Sequence, residues 1–288
     1  MENPILQLDE PLRVTEGLRS VSIAGCDLRY LRTGTGKPVV LLHTLRTQLE
    51  YFLPLLRELD ATNLQIIVPD LPGHGHSTAP RVQYTADYFI DAMEEFLAVC
   101  DLRDVVIVGE SVGASIALGL AARRNTRVAR IVALNPYDYG RWGGIRRSSA
   151  LANVLFTAML WPIAGSIVAR AGTKEVLRRV MEGGLHDARK LPPELVDELH
   201  RCGALPGHAR AFHSLCLHWR SWIEGRAAYA TIRVPVTLAY GEFDWSRHED
   251  REANARTIPG VHGLPLEGCG HFSCLEEPQR VAQIIQGK

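Results

Sequence analysis

Val105-Val-Ile-Val-Gly109-Glu110-Ser111-Val112-Gly113-Ala114 decides how the rest of the chain is read. An apolar run, Val105 to Val108, leads into Gly-x-Ser-x-Gly, and a small-residue stretch from Ala114 to Ala122 follows. The pattern predicts a buried strand, a sharp turn carrying Ser111, and a helix. The chemistry explains the glycines. A serine that attacks a carbonyl must stand clear of the sheet on a tight strand-to-helix turn. Such a turn is strained and crowds the residues two positions away. Gly109 and Gly113 leave room for it. The amide of Val112, at the helix start, then points to where an oxyanion would form.

Gly-x-Ser-x-Gly by itself is weak, because both residues are common; ordered partners make it strong. Pro235-Val-Thr-Leu-Ala-Tyr240 reads as a buried strand that runs into Gly241-Glu242-Phe243-Asp244. The strand-like stretch Val261 to Leu266 precedes Gly268-Cys269-Gly270-His271-Phe272. Ser111, Asp244 and His271 thus occur in the order nucleophile, acid, histidine, the acid and the histidine each after a later strand. With these go Val39-Val-Leu-Leu-His43 and Pro69-Asp70-Leu-Pro-Gly73-His74-Gly75-His76-Ser77. Together the motifs make the chain resemble the α/β-hydrolase superfamily, in its serine-hydrolase group of esterases, lipases, lactonases and thioesterases. The likeness spans nearly the whole chain and implies a fold, not a substrate.

The expected fold is α/β, with a mostly parallel eight-stranded sheet flanked by helices and an inserted helical cap. Strands are predicted at Leu18–Ala24, Cys26–Leu31, Leu64–Val68, Val105–Val108, Val128–Leu134 and Val234–Tyr240, and helices at Gln48–Leu59, Thr85–Cys100 and from Pro278. Phe89, Met93, Phe96, Leu97 and Cys100 share one helical face and read as core. Thr33-Gly-Thr-Gly-Lys-Pro38 faintly resembles a phosphate loop, but Leu31 replaces the upstream glycine and Pro38 follows the lysine, so it reads as a turn. Residues 1–136 and 233–288 form the expected core domain. Residues 137–232, where strand patterns stop, form the expected cap. The cap carries 13 Arg and Lys against 8 Asp and Glu, a net of +5 in a chain of net charge 0, and four of the five tryptophans.

Zero net charge argues against a nucleic-acid partner. Six cysteines without framework spacing fit free thiols, and the mixed, acidic Met1–Gly17 has no apolar signal region, so the expected location is cytoplasmic. Ser148 to Ala169 lacks charge over 22 residues, long enough for a membrane span, yet Pro162 and Gly165 interrupt it. Two short lid helices lining a substrate cavity are expected instead, with lipid contact as a further reading.

The resemblance implies cleavage of an ester, lactone or thioester through an acyl-enzyme on Ser111, with His271 as base and Asp244 as orienting acid. Asp138 and Glu242 are the alternative acids. Backbone amides of Leu45 and Val112 are the expected oxyanion donors. Thr44 stands where relatives usually have Gly. Thr44, Arg46, Glu110 and Trp245 are candidate substrate contacts; Arg46 either binds a carboxylate or phosphate or is merely solvated, and Glu110 bonds within the turn or lies in the pocket. His43 is expected to brace the loops beneath the site. Serine as nucleophile disfavours the related dehalogenases and epoxide hydrolases. Cys269-x-His271-x-x-Cys274 lacks a second ligand cluster, so neither metal nor cofactor is expected. The expected partner is a small ester-like molecule with an apolar acyl part. The positive cap makes a coenzyme A or acyl-carrier thioester a candidate. The alternatives are a small-ligand receptor, or an acyltransferase or C–C bond hydrolase using the same serine. Oligomeric state is left open.

Overall fold

A computed structural model describes the chain except residues 1–7, 10–12, 15, 60–62, 141–143, 262 and 288. Most of the N-terminal stretch searched for a signal, and Arg141 and Trp142 of the expected cap, lie outside the described residues. Eight strands form one sheet: β1 (Leu18–Ile23), β2 (Cys26–Gly34), β3 (Lys37–Leu42), β4 (Leu64–Pro69), β5 (Val105–Glu110), β6 (Val128–Leu134), β7 (Val236–Gly241) and β8 (Gly263–Leu266). Their spatial order is β8-β7-β6-β5-β3-β4-β2-β1. Pairs β1/β2 and β2/β4 are antiparallel and the others parallel. Residues 8–9 and 13–14 pair as a separate two-stranded ribbon.

Parallel strands covered on both faces need unbroken apolar runs, and every residue of β5 is buried. The covering helices are α1 (Leu53–Glu58), α2 (Ala86–Val99) and α3 (Val112–Ala122), followed later in the chain by α10 (His248–Thr257), α11 (Ser273–Glu276) and α12 (Pro278–Gln286). Thr85 caps α2 by accepting from the Tyr88 amide, and Phe89, Met93, Phe96 and Leu97 face the core as their spacing predicts. The single helix predicted over Gln48–Leu59 divides into a 3-10 turn, Leu49–Phe52, and α1. Pro54 is the reason: it lacks an N–H and suits only a first turn. Thr33 and Gly34 belong to β2, so that the predicted turn shrinks to Thr35-Gly36. Gly36 has φ +111°, and a Cβ there would stand 2.3 Å from the Asn63 carbonyl oxygen.

Between β6 and β7 the described residues form helices and loops only: α4 (Ala150–Ala158), α5 (Pro162–Ala171), α6 (Lys174–Glu182), α7 (Pro193–Gly203), α8 (His208–Leu217) and α9 (Arg220–Gly225), with short 3-10 turns. Caps and prolines punctuate the segment. Ser149 and Thr173 accept from the amides of Ala152 and Val176, and Pro162 and Pro193 sit in first turns. Trp222 of α9 packs on Phe89 of α2 at 5.8 Å between ring centroids, tying this segment to the sheet's helical cover. No helix among the described residues is long and apolar enough to cross a membrane. All six cysteines are unpaired.

Candidate active site

The chain reverses direction across the sheet between β5 and β3, and in open α/β sheets the crevice beyond the strand ends at such a point holds the ligand. Ser111 stands there, one residue past β5. Its backbone is left-handed, φ +57° and ψ −116°, the strain that the flanking glycines predict. A Cβ on Gly109 would lie 2.1 Å from the Gly113 oxygen, and one on Gly113 would lie 2.0 Å from the Leu42 oxygen. Neither position admits a side chain. The turn is clamped by the Ser111 amide donating to Leu134 at 2.9 Å, while its carbonyl accepts from Tyr137 at 3.1 Å.

His271, beyond β8, brings Nε2 to 2.9 Å from Ser111 Oγ. Its Nδ1 lies 2.5 Å from Oδ1 of Asp244, beyond β7. The Ser246 amide donates to the other Asp244 oxygen at 2.9 Å. Burial opposes charge on Asp244, but the His271 imidazole and the Ser246 bonds outweigh it, so its carboxyl lies below the usual aspartate value. The two other candidate acids are engaged elsewhere. Asp138 accepts from Asn254 at 2.9 and 3.2 Å and has Arg226 at 3.7 Å. Glu242 accepts from the Gly268 amide at 3.0 Å and so steadies the loop that carries His271.

Glu110 does not line the cavity beside the site. It is fully buried, accepting from the amides of Ser273 at 2.6 Å and Cys274 at 3.3 Å and from the Tyr51 hydroxyl. Burial lifts its carboxyl above the usual glutamate range, against the pull of Tyr51, His271 and Ser273. Thr44 is also buried, and its carbonyl accepts from Thr47 Oγ1 at 2.9 Å. Trp245 stacks flat on the His271 ring, 4.0 Å between centroids and 16° between planes, and donates to the Gly183 carbonyl at 3.1 Å. These three candidate contacts are therefore supports around the site; none of them lines the adjoining cavity.

Arg46 does line it. The cavity, ≈ 200 Å³, is enclosed by Leu45 and Arg46, by Leu155, Phe156 and Met159 at α4 and by Val168 of α5, among others, and reaches Phe272. Two short helices, α4 and α5, are present where two were expected over 148–169, and each contributes residues to this apolar space. Ser111 and His271 are themselves nearly sealed, at 1 % and 0 % exposure, and neither lines the cavity, whereas Phe272, whose ring centre lies 5.3 Å from that of His271, does. Arg46 has φ +61° and its guanidinium lies 4.8 Å from the Phe212 ring centre. Burial presses it below the usual arginine value.

Sequence reasoning gave no role to Asn135. Asn135, at φ +47°, donates to the His271 carbonyl at 2.9 Å and to Ser273 Oγ at 2.7 Å, and accepts from the Gly241 amide at 2.8 Å. One side chain thereby ties the acid loop to the histidine loop. Tyr51 and Gly184 were missed too: the Gly184 carbonyl accepts from the His271 amide at 2.6 Å. His43 braces as expected. Leu71 donates to its Nε2 at 2.9 Å, so Nδ1 carries the proton and donates to the Thr44 carbonyl at 2.8 Å. Burial lowers its pKa to about 4. His76, Glu198 and Cys202 converge closely enough to hold a metal ion, but Arg201 already pairs with Glu198 and lies 3.1 Å from His76 Nε2.

Residues 39–284 match the alpha/beta hydrolase family model, and the chain belongs to that family. An uncharacterized protein of Mycobacterium tuberculosis is 25% identical over 270 residues, which cover 88% of this chain and 75% of the relative. A 2-hydroxymuconate semialdehyde hydrolase of a Pseudomonas species is 24% identical over 306 residues, 96% of this chain and 95% of that one. The crystal structure of Cfl2 from Burkholderia cenocepacia superposes with a TM-score of 0.83 at 20% identity, covering 99% of both chains.

Proposed function

We propose that this protein is a serine hydrolase that cleaves a carboxylic ester, lactone or thioester through an acyl-enzyme. One observation carries the reading: the buried hydrogen-bonded series Ser111–His271–Asp244, with contacts of 2.9 and 2.5 Å. In this scheme Ser111 Oγ attacks the carbonyl and its proton passes to His271 Nε2. Asp244 holds Nδ1–H and stabilises the imidazolium that results. The proton then goes to the leaving group, and water repeats the sequence to free the acid. The Val112 amide occupies the first position of α3, where a helix offers it no carbonyl, so it is available to an oxyanion beside the Leu45 amide. The apolar cavity takes the acyl part. With Ser111 at 1 % exposure, substrate entry requires the side chains that cover it to move aside.

C–C bond hydrolysis by the same serine is the second reading, favoured by the relative named as a 2-hydroxymuconate semialdehyde hydrolase. A p-nitrophenyl ester series of increasing chain length tests the first, with Ser111→Ala as control. Turnover that peaks at one length and falls at least about 10⁴-fold in the variant supports ester cleavage. If no ester turns over while a fluorophosphonate still labels Ser111, the ester reading fails and ring-cleavage dienoates become the substrates to assay.

A further inference from the structure

Beside the apolar cavity lies a wider cleft of ≈ 950 Å³ with the opposite character. Its walls carry Arg46, Arg81, Arg170, His200 and Arg210, and neither aspartate nor glutamate. These side chains come from the loop after β3, the loop before α2, and helices α5, α7 and α8. Among the described residues no carboxylate pairs with any of the four arginines. Arg210 donates only to the carbonyls of Pro80 and Ala79, at 2.9 and 2.7 Å. In the same helical segment Arg147, Arg178, Arg179, Arg189, Arg201 and Arg226 each stand beside an acid. Arg146 and Arg220 of that segment also lack an acidic partner among the described residues, so what marks the cleft is that four such arginines share its walls.

Arg46, Ala169 and Gly172 line both spaces, so the two meet at Arg46. A Cβ on Gly203 would come within 2.9 Å of the Arg46 guanidinium, which fixes how closely α7 closes on it. A guanidinium withdrawn from water without an anion is unfavourable, and like charges around one cleft repel. An entering anion relieves both.

We propose that this cleft binds the anionic end of the substrate, a carboxylate or a phosphate, while the adjoining cavity takes its apolar acyl part. The inference rests on the serine-hydrolase reading only in calling the ligand a substrate, and binding can be measured without turnover. Calorimetry on the Ser111→Ala protein at low salt compares three ligands: monomethyl adipate for carboxylate, hexanoyl-coenzyme A for phosphate, and neutral methyl hexanoate. At least one anionic ligand binds tenfold or more tightly than the neutral ester, and added NaCl weakens it. Arg46→Met raises the Kd of that ligand about tenfold, as does the surface pair Arg81→Ser with Arg170→Ser, which leaves the packed residues in place. The arm that responds identifies the anion. Equal binding of all three ligands, or anionic binding indifferent to both sets of variants, overturns the proposal. Selective binding by a protein whose wild type hydrolyses no ester keeps this inference and removes the ester reading.

Discussion

Asp244 and Asp138 lie just beyond the ends of β7 and β6, both buried, and their partners set them apart. Only Asp244 reaches the imidazole. Asp244→Asn keeps the shape but offers His271 an amide that cannot stabilise an imidazolium. An expected loss of about 10⁴-fold in kcat, with little change in melting temperature, checks this in an ester assay. Asp138→Asn has the reverse signature. It weakens the contacts to Asn254 and Arg226, lowering stability by roughly 1–3 kcal/mol in urea unfolding while kcat stays within a few-fold. The opposite pattern would make Asp138 the acid.

Loops from separate strands must agree to within a few tenths of an ångström for a 2.9 Å contact to persist, and the cross-braces do this work. Glu110→Ala strips acceptors from two buried amides and the Tyr51 hydroxyl, an expected loss of about 2 kcal/mol or more, whereas the isosteric Glu110→Gln retains most of the stability. Paired thermal melts of the two variants measure the difference. Gly184, between α6 and α7, packs so closely that a Cβ would meet the Phe272 ring at 2.4 Å and Trp245 at 2.7 Å. Gly184→Ala therefore pushes on the histidine loop. A shift of ~1 Å there corresponds to about 10²-fold in kcat. Steady-state kinetics should show that loss while the fluorophosphonate still labels Ser111, only more slowly.

Acid should unfold the molecule from an unusually high pH. Burial pushes His43 down to about 4, and His74, His208 and His213 move the same way. Between the usual pKa near 6.5 and about 4, the unfolded chain binds a proton at His43 that the folded chain refuses. Stability is thus complete above pH 6.5 and declines as pH falls towards 4, by on the order of 3 kcal/mol from His43 alone. Urea midpoints measured from pH 7 to pH 4 should drop accordingly. His43→Gln should be weaker at pH 7 but show a shallower slope. A flat wild-type profile would contradict the buried, neutral assignment.

Much of this was legible in the chain because its signals are local. Apolar runs bounded by Gly and Pro marked the central strands, and Val128–Leu134 matches β6 at both ends. The two glycines around Ser111, set between an apolar run and a small-residue stretch, marked the strained turn, whose backbone excludes a Cβ at both positions. Chain order, with the family resemblance, brought Asp244 and His271 forward as candidates, and folding placed them beside each other and Ser111. What no local pattern carried was which distant groups would meet. Glu110 became a brace because Ser273 and Cys274, 163 and 164 positions further along the chain, fold against it, and Trp245 became a lid on the imidazole because the loop of His271 comes to lie beneath its ring. Four arginines scattered from Arg46 to Arg210 line one cleft only after the helical segment folds over the strand ends. Pairing across such separations is decided by packing, since each contact depends on elements whose positions no single stretch of sequence specifies.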